Sequence, residues 1–180
     1  MRILAILLFF MTSPTFAADP FASGVAVGKR PGPYSFLVAT GPQRGQSTCY
    51  ICEQKEKPAV IVFARTLSEP LGRLLGKLDV QATVKKDDGF KVWMTQLTDT
   101  ADLDPLSKWG QKQGLKSIPV GAFEDADGPP AYVLHRDADI TVLMFVREKV
   151  TANFAFKSGE LNDDKIAKVL EALPKLFEKK

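Results

Sequence analysis

The two cysteines of this chain lie three positions apart, at Cys49 and Cys52. Thiols at this spacing can join in a disulfide or exchange a disulfide with another protein. The backbone must turn for either to happen, because an extended segment would hold the two Cα atoms ~10 Å apart and a disulfide needs less than ~7 Å. The pair therefore predicts a helical or tight turn over residues 48–53.

One hypothesis is that the pair is redox-active, with Cys49 and Cys52 as the catalytic residues. Cys49 would then be the attacking thiolate and Cys52 the resolving thiol. Lys55 and Lys57 are close enough in sequence to lower the pKa of a thiol, whereas Glu53 places a negative charge beside Cys52. The partner would be a protein thiol or disulfide, and no dissociable cofactor is implied.

The other hypothesis is a structural disulfide that pins the loop over residues 43–58. Such a bridge forms because an exported protein meets an oxidising compartment. The loop that it closes is short, so its entropic benefit is small. The chain would then be a non-catalytic module that binds a protein or a ligand. A buried, reduction-resistant bridge favours this module, and an exposed bridge favours exchange.

Metal and haem sites have less support from the sequence. Cys-x-x-Cys is half of a structural zinc site, which needs four ligands, and His135 is the single histidine of the chain. A closed zinc site would therefore need a dimer. Covalent haem attachment needs a histidine directly after Cys52, where Glu53 stands. We therefore expect neither a metal nor a cofactor.

The first residues have the pattern of an export signal. A basic residue precedes a continuous apolar stretch over residues 3–11, and small residues follow that fit cleavage after Ala17 or Ala18. The apolar stretch is shorter than the ~20 residues that a membrane-spanning helix needs, and Pro14 ends it. We therefore predict a signal peptide over residues 1–17 and an exported protein, periplasmic or extracellular, without a stable membrane span.

Length and charge predict one globular domain. The chain has 180 residues and a formal net charge of +3, which suits a single domain of the usual ~100–200 residues. The basic pair at 85–86 is followed by acidic residues at 87–88, and no stripe of basic and aromatic residues occurs, so no nucleic-acid binding is expected. Gly and Pro predict an irregular segment over residues 18–33, and the domain extends over residues 34–180.

Apolar and β-branched runs predict a series of strands. The run over residues 59–64 is continuously apolar, which is typical of a strand covered on both faces of a sheet. Two later runs are separated by a short polar segment, which suits an antiparallel hairpin. The predicted strands cover residues 34–40, 59–64, 90–97, 119–123, 140–146 and 150–156.

Three helices are predicted between and after these strands. Ser68 caps the first helix, whose first turn contains Pro70 and whose leucines at 71, 74, 75 and 78 have the spacing of a buried stripe. The second helix begins at Asp104 and ends near Gly114. Asn162 caps the third, which has apolar residues on one face.

This order of elements resembles the thioredoxin-like fold, in the redoxin branch that includes peroxiredoxins and exported thiol-disulfide oxidoreductases. The resemblance covers residues 34–177. Its local signs are the strand over 60–64 that runs into the Pro70 helix, the hairpin over 141–156, and the acidic segment over 123–128. It implies an α/β protein, built as a three-layer α/β/α sandwich with a mixed central sheet.

The resemblance also implies where a reactive cysteine would lie, which is the turn from the central strand into the next helix. Here that turn, over residues 65–69, has no cysteine. The cis-proline that faces this site in the family should precede the final hairpin, where residues 137–139 are Asp, Ala and Asp. Ile118-Pro119 is the other candidate, but it would leave residues 140–156 as an extra hairpin. We therefore expect no peroxiredoxin-type peroxidase, and a displaced Cys-x-x-Cys.

Overall fold

The computed structural model describes residues 21–178, so the predicted signal peptide over residues 1–17 lies outside the described residues. The described chain forms one sheet of seven strands. The strands are β1 (Phe36–Val38), β2 (Ser47–Thr48), β3 (Ala59–Ala64), β4 (Lys91–Thr98), β5 (Val120–Glu124), β6 (Ala138–Val146) and β7 (Lys149–Lys157). The helices are α1 (Tyr50–Gln54), α2 (Glu69–Val84), α3 (Leu103–Lys112) and α4 (Asp163–Glu171), with short 3-10 helices over Pro130–Tyr132 and Leu173–Leu176.

The sheet is mixed, as predicted, and its strand order is β2-β1-β5-β4-β3-β6-β7. Parallel pairs join β3 to β4 and β4 to β5. Antiparallel pairs join β3 to β6, β6 to β7, β1 to β5 and β1 to β2. The long hairpin of β6 and β7 confirms the predicted antiparallel pair. Its turn consists of Arg147 and Glu148, which both have positive φ, the geometry of a tight two-residue hairpin turn.

Strand β3 lies inside the sheet because both of its faces are apolar. All six of its residues are buried. Val60 and Val62 face one hydrophobic core, while Ile61 and Phe63 face the other. A continuous apolar run has no solvent-facing side, so only an interior strand can accommodate it. The prediction for residues 59–64 is confirmed to the residue.

The two faces of the sheet are covered by unequal layers. Helices α2, α3 and α4 pack on one face, where they contribute Leu74, Leu106 and Val169 to its core. The other face is covered by α1 through Tyr50, by the first 3-10 helix, and by irregular chain that includes Val25. The three-layer α/β/α arrangement is confirmed, although one outer layer consists largely of chain without regular structure.

The helix caps follow the sequence closely. The Ser68 hydroxyl accepts a hydrogen bond from the backbone N–H of Leu71, and the Asn162 amide oxygen accepts one from Lys165, as expected of N-cap residues. The second helix begins at Leu103, one residue earlier than predicted, because Asp102 caps it. The four predicted leucines of α2 are fully buried.

The described chain that precedes the sheet, from residue 21 to residue 35, has no helix or strand, but it is held firmly in place. The Gly28 N–H donates to the Val150 carbonyl at 2.8 Å, and the Val150 N–H donates back to Lys29 at 2.9 Å. The Asn153 amide donates to the carbonyls of Ser23 and Val25. These bonds fix the segment against strand β7. Within residues 21–178, no helix is long and apolar enough to cross a membrane.

Candidate functional site

The cysteine pair lies on a helical turn, as its spacing requires. Cys49 precedes the first residue of α1, and the Cys52 N–H donates to the Cys49 carbonyl at 3.1 Å. The two sulfurs form a disulfide, and the Cα atoms are 5.4 Å apart. The predicted turn over residues 48–53 is confirmed, although the short helix itself falls within a region that the sequence predicts as loop.

Helix α1 is held by two side chains that point into the protein. The Tyr50 ring packs edge-on against Phe36 and Trp93, with centroids 5.5 Å and 5.7 Å away. One turn later, the Gln54 amide donates to the carbonyls of Pro58 and Gly89, at 2.9 Å and 2.7 Å. Residues four apart on a helix share a face. The opposite face of α1 is therefore turned toward solvent.

The disulfide opens onto a cleft on that outward face. Cys52 is exposed, whereas Cys49 is only partly exposed. Cys52, but not Cys49, lines a cleft of about 490 Å³, which is within the size range of small-ligand sites. The lining consists of the outward face of α1, the irregular segment before β1, and the end of the hairpin, through Arg30, Pro31, Gly32, Pro33, Ile51, Cys52, Lys55, Phe145 and Glu148.

The wall opposite α1 is built from irregular chain that two contacts fix. The Tyr132 hydroxyl donates to the Gly32 carbonyl at 2.8 Å. Arg30 forms an ion pair with Glu148 in the hairpin turn, at 2.5 Å. The Arg147 N–H donates to the Glu56 carbonyl at 3.1 Å, so the hairpin turn is also tied to the end of α1. The cleft is therefore preformed on both sides.

The charges near the pair differ from the sequence expectation. The Glu53 carboxylate is engaged by Lys91 at 3.1 Å, and the same ammonium lies 3.8 Å from the centre of the Tyr50 ring. The negative charge beside Cys52 is thus partly neutralised. Burial, and then the Glu53 charge, raise the pKa of Tyr50 to about 12. Lys55 lines the cleft with Cys52, but Lys57 lies over Gly89 instead.

The turn that the fold would normally use is occupied by a hydrogen-bond network. The Thr66 hydroxyl and its backbone N–H donate to the Asp139 carboxylate, at 2.6 Å and 3.1 Å. The Arg65 guanidinium donates to the carbonyls of Ala138, Ala126 and His135. These hydrogen bonds hold the segment over residues 126–139, which leads into β6, against the end of β3. The turn over residues 65–69, at this end of the strand, contains no cysteine.

The register of the sheet shows which of the two candidate segments, residues 137–139 or Ile118-Pro119, lies where the family has its cis-proline. Arg65 donates its backbone N–H to the Asp139 carbonyl, so residues 137–139 face the usual turn and Ile118-Pro119 does not. No cis peptide bond occurs within residues 21–178. Phe145 pairs with Ala59 at the other end of β3. Because β3 has six residues, the cleft and the usual turn are ~16 Å apart along the strand.

The cleft was not predicted from the sequence, and neither were its walls. Arg30 and Glu148 are far apart in the chain and belong to segments without a recognisable motif. His135 is exposed, as expected for a loop position. In the part of the chain from residue 21 to residue 178, no three His, Cys, Asp or Glu side chains are grouped as a metal site.

Comparison with known proteins gives matches in structure but not in sequence. No protein-family model matches the chain, and no curated protein matches it. A protein disulfide isomerase candidate from Bacteroides thetaiotaomicron superimposes with a TM-score of 0.66 at 16% identity, over 88% of this chain and 96% of that one.

Two further solved structures show the same architecture. A candidate thiol:disulfide interchange protein DsbE from Chlorobium tepidum has a TM-score of 0.61 at 14% identity, over 83% of this chain and 99% of that one. A peroxiredoxin-like protein from Aquifex aeolicus has a TM-score of 0.55 at 14% identity, over 84% and 90%. The chain therefore has the thioredoxin-like fold of the redoxin proteins, with a Cys49–Cys52 disulfide placed before the central strand and no cysteine at the usual turn.

Proposed function

We propose that this chain exchanges disulfides with protein thiols through Cys49 and Cys52. The observation that carries the proposal is a disulfide on a helical turn with one exposed cysteine, beside a preformed cleft. Thiol-disulfide exchange needs access for the incoming sulfur. An accessible bridge is therefore the minimum requirement, and this pair meets it.

The exchange itself needs no cofactor. A partner thiolate forms a bond to one sulfur of the bridge, and the other sulfur leaves with the electron pair of the broken S–S bond and takes up a proton. The second thiolate of the partner then attacks the mixed disulfide. The partner is oxidised by two electrons and the Cys49–Cys52 pair is reduced. The reverse sequence reduces a partner disulfide.

The bridge contributes little as a staple, which favours a chemical role. A closed loop of four residues gives an entropic stabilisation of only ~2 kcal/mol in the chain-entropy description. Helix α1 is already anchored by Tyr50 and Gln54, whose contacts do not involve the sulfurs. Reduction can therefore occur without loss of the fold. A buried bridge would favour the competing hypothesis of a loop-pinning disulfide, whereas Cys52 is exposed.

The structural neighbours supply further support. Two of them are named for disulfide isomerisation or thiol:disulfide interchange, and this chain shares their fold. An exported location suits the same chemistry, because disulfides persist in oxidising compartments. The proposal therefore includes export with removal of residues 1–17. Peroxidase activity is not proposed, because the usual turn has no cysteine.

The test is a redox titration of the purified protein in glutathione buffers, combined with a disulfide-reductase assay. We expect a midpoint in the ~−120 to −270 mV range of known oxidoreductases. Cys49→Ser and Cys52→Ser should each abolish turnover and leave the circular dichroism spectrum unchanged. Protein recovered from the exported fraction should begin at Ala18 or Asp19.

A bridge that stays oxidised below ~−300 mV, as structural disulfides do, would contradict the exchange function. The same conclusion follows if wild type and both serine variants are equally active in the reductase assay. In either case the loop-pinning disulfide becomes the better description.

A further inference from the structure

We propose that the incoming thiolate attacks Sγ of Cys52, and that the cleft beside it holds an extended peptide segment of the partner with an apolar side chain next to its cysteine. This inference rests on the proposed exchange function. It reverses the roles that the sequence order predicts, in which Cys49 is the attacking residue.

The two cysteines are unequally exposed. A thiolate must approach the attacked sulfur from the side opposite the leaving sulfur, so open space is needed beyond the attacked atom. Cys52 is exposed and lines the cleft. Cys49 is partly covered and does not line it. A partner seated in the cleft therefore meets Cys52 first.

The lining of the cleft favours a peptide over a small anionic thiol. The lining is largely apolar, and its accessible apolar residues are Pro33, which is exposed, and Ile51, which is partly exposed. Contact with them stabilises an apolar side chain by removing it from water. Of the two cations in the lining, Arg30 is already paired with Glu148. A small thiol with several carboxylates would find one lysine, Lys55, without an ion-pair partner among residues 21–178.

Lys55 and the Arg30–Glu148 ion pair suit the charged and polar parts of such a peptide. The Lys55 ammonium attracts the partner thiolate, because opposite charges at close range favour the ionised thiol. The Arg30–Glu148 pair lies at the rim, where polar groups of an extended peptide are exposed to water. Phe145 also lines the cleft, but it is buried in the core and contributes little accessible surface.

The chemical step balances without any further reactant. The partner thiolate forms a bond to Sγ of Cys52, the Cys49–Cys52 bond breaks, and Cys49 leaves as a thiolate that takes a proton from water. The second partner thiol, as thiolate, then attacks the partner sulfur of the mixed disulfide and releases Cys52. In the reducing direction, the Cys52 thiolate attacks the partner disulfide and Cys49 resolves the mixed disulfide.

The test compares the single-cysteine variants with two activated peptides. Cys49→Ser and Cys52→Ser are each reacted with a peptide whose cysteine carries a 2-thiopyridyl group, flanked either by leucine or by serine. Release of 2-thiopyridone gives the rate. We expect Cys49→Ser, which keeps Cys52, to react about tenfold faster or more than Cys52→Ser. We also expect the leucine peptide to react about tenfold faster than the serine peptide with Cys49→Ser, because one buried leucine side chain supplies such a factor.

Pro33→Asp tests the cleft in the Cys49→Ser background. Pro33 is exposed and lines the cleft, so a carboxylate there should remove most of the preference for leucine. Pro42→Asp is the matched control. Pro42 is also an exposed proline, but it lies outside the cleft, and the preference should be unchanged.

Reduced wild-type protein gives a measurement that needs no cysteine variant. Brief alkylation followed by trypsin releases residues 45–55 as one peptide, and fragmentation between Tyr50 and Ile51 shows which cysteine is modified. We expect Cys52 to be alkylated first.

The outcomes separate this inference from the proposed function. If glutathione exchange is observed but Cys49 reacts as fast as Cys52 or faster, the assignment of the attacked sulfur is wrong while exchange stands. If Cys52 reacts first without a preference for leucine, the peptide cleft is wrong. If neither cysteine exchanges with glutathione or with the peptides, the proposed function fails and this inference fails with it.

Discussion

At the scale of single residues, the two ends of β3 differ: one end holds a hydrogen-bond network, and the other lies near the disulfide. The end of β3 that faces Thr66 is a hydrogen-bonded joint, in which the buried Asp139 carboxylate accepts from both the side chain and the backbone of Thr66. The beginning of β3 lies next to the disulfide. The polar residues at the usual turn therefore have a structural role, and this role can be tested separately from the cysteines.

Asp139→Ala should lower the free energy of unfolding by about 1–3 kcal/mol, because it removes the part-buried hydrogen bonds that Thr66 donates to a charged carboxylate. Urea unfolding measures this loss. The rate of disulfide exchange in the folded variant should be unchanged, because the cleft lies ~16 Å away along β3.

Asp137→Ala is the control for this substitution. Asp137 is exposed and two positions away, so both stability and exchange should resemble wild type. If Asp139→Ala abolished exchange while the fold remained intact, the reactive centre would have to include the usual turn, and the placement of the chemistry at Cys49 and Cys52 would be wrong.

At the scale of elements, close approach of strands and helices sets which positions accept a side chain. Gly121 in β5 pairs with β1, and a Cβ atom there would lie 2.5 Å from the Leu37 carbonyl oxygen and 2.4 Å from the Phe36 ring. Gly76 in α2 is different, because a Cβ atom there would meet no atom within 4 Å. The same substitution should therefore have opposite effects at the two sites.

Gly121→Ala should destabilise the protein by roughly 1–3 kcal/mol, because β1 must move away from β5 to make room. Gly76→Ala should stabilise it by about 0.5–1 kcal/mol, because alanine loses less backbone entropy than glycine in a helix interior. Urea midpoints of the two variants measured against wild type test both signs. A destabilised Gly76→Ala, or a neutral Gly121→Ala, would show that the packing of α2 or of β1 on β5 differs from that described.

At the scale of the whole molecule, one face of the sheet is covered by an aromatic core that contains every tyrosine of the chain. The Tyr34 hydroxyl bonds to Thr95 and accepts from the Trp93 indole, both at 2.8 Å. Burial raises the pKa of Tyr34 and of Tyr132. It also raises the pKa of Tyr50, to about 12. The three phenols should therefore stay protonated as long as the fold is intact.

This arrangement predicts alkaline unfolding. An unfolded tyrosine has a pKa near ~10, so the raised folded values give a stability contribution that is complete below pH ~10 and is lost as the pH rises through the folded values, about 12 for Tyr50. Tyrosinate absorbance and circular dichroism, measured against pH, should change together above pH ~10. Tyr50→Phe should weaken this pH dependence. A tyrosine that ionises near pH 10 in the folded protein would contradict the prediction.

The fold was largely readable from the sequence because its signals are local. A continuous apolar run requires an interior strand at β3, leucines at helical spacing mark α2, and a capping Asn162 marks the start of α4. Helix α1 was predicted only as a turn. Five residues are too few for a helix to be stable alone, and its stability comes from contacts of Tyr50 and Gln54 with distant parts of the chain.

The sequence by itself determined the cysteine spacing, the turn that joins the two sulfurs, and the absence of a cysteine after β3. Only the tertiary structure decided which of the two cysteines is more exposed and what lies next to it. The cleft is bounded by Arg30, Lys55 and Glu148, which come from three separate segments. Exposure and clefts depend on which distant segments pack together, and no local pattern of residues encodes that arrangement.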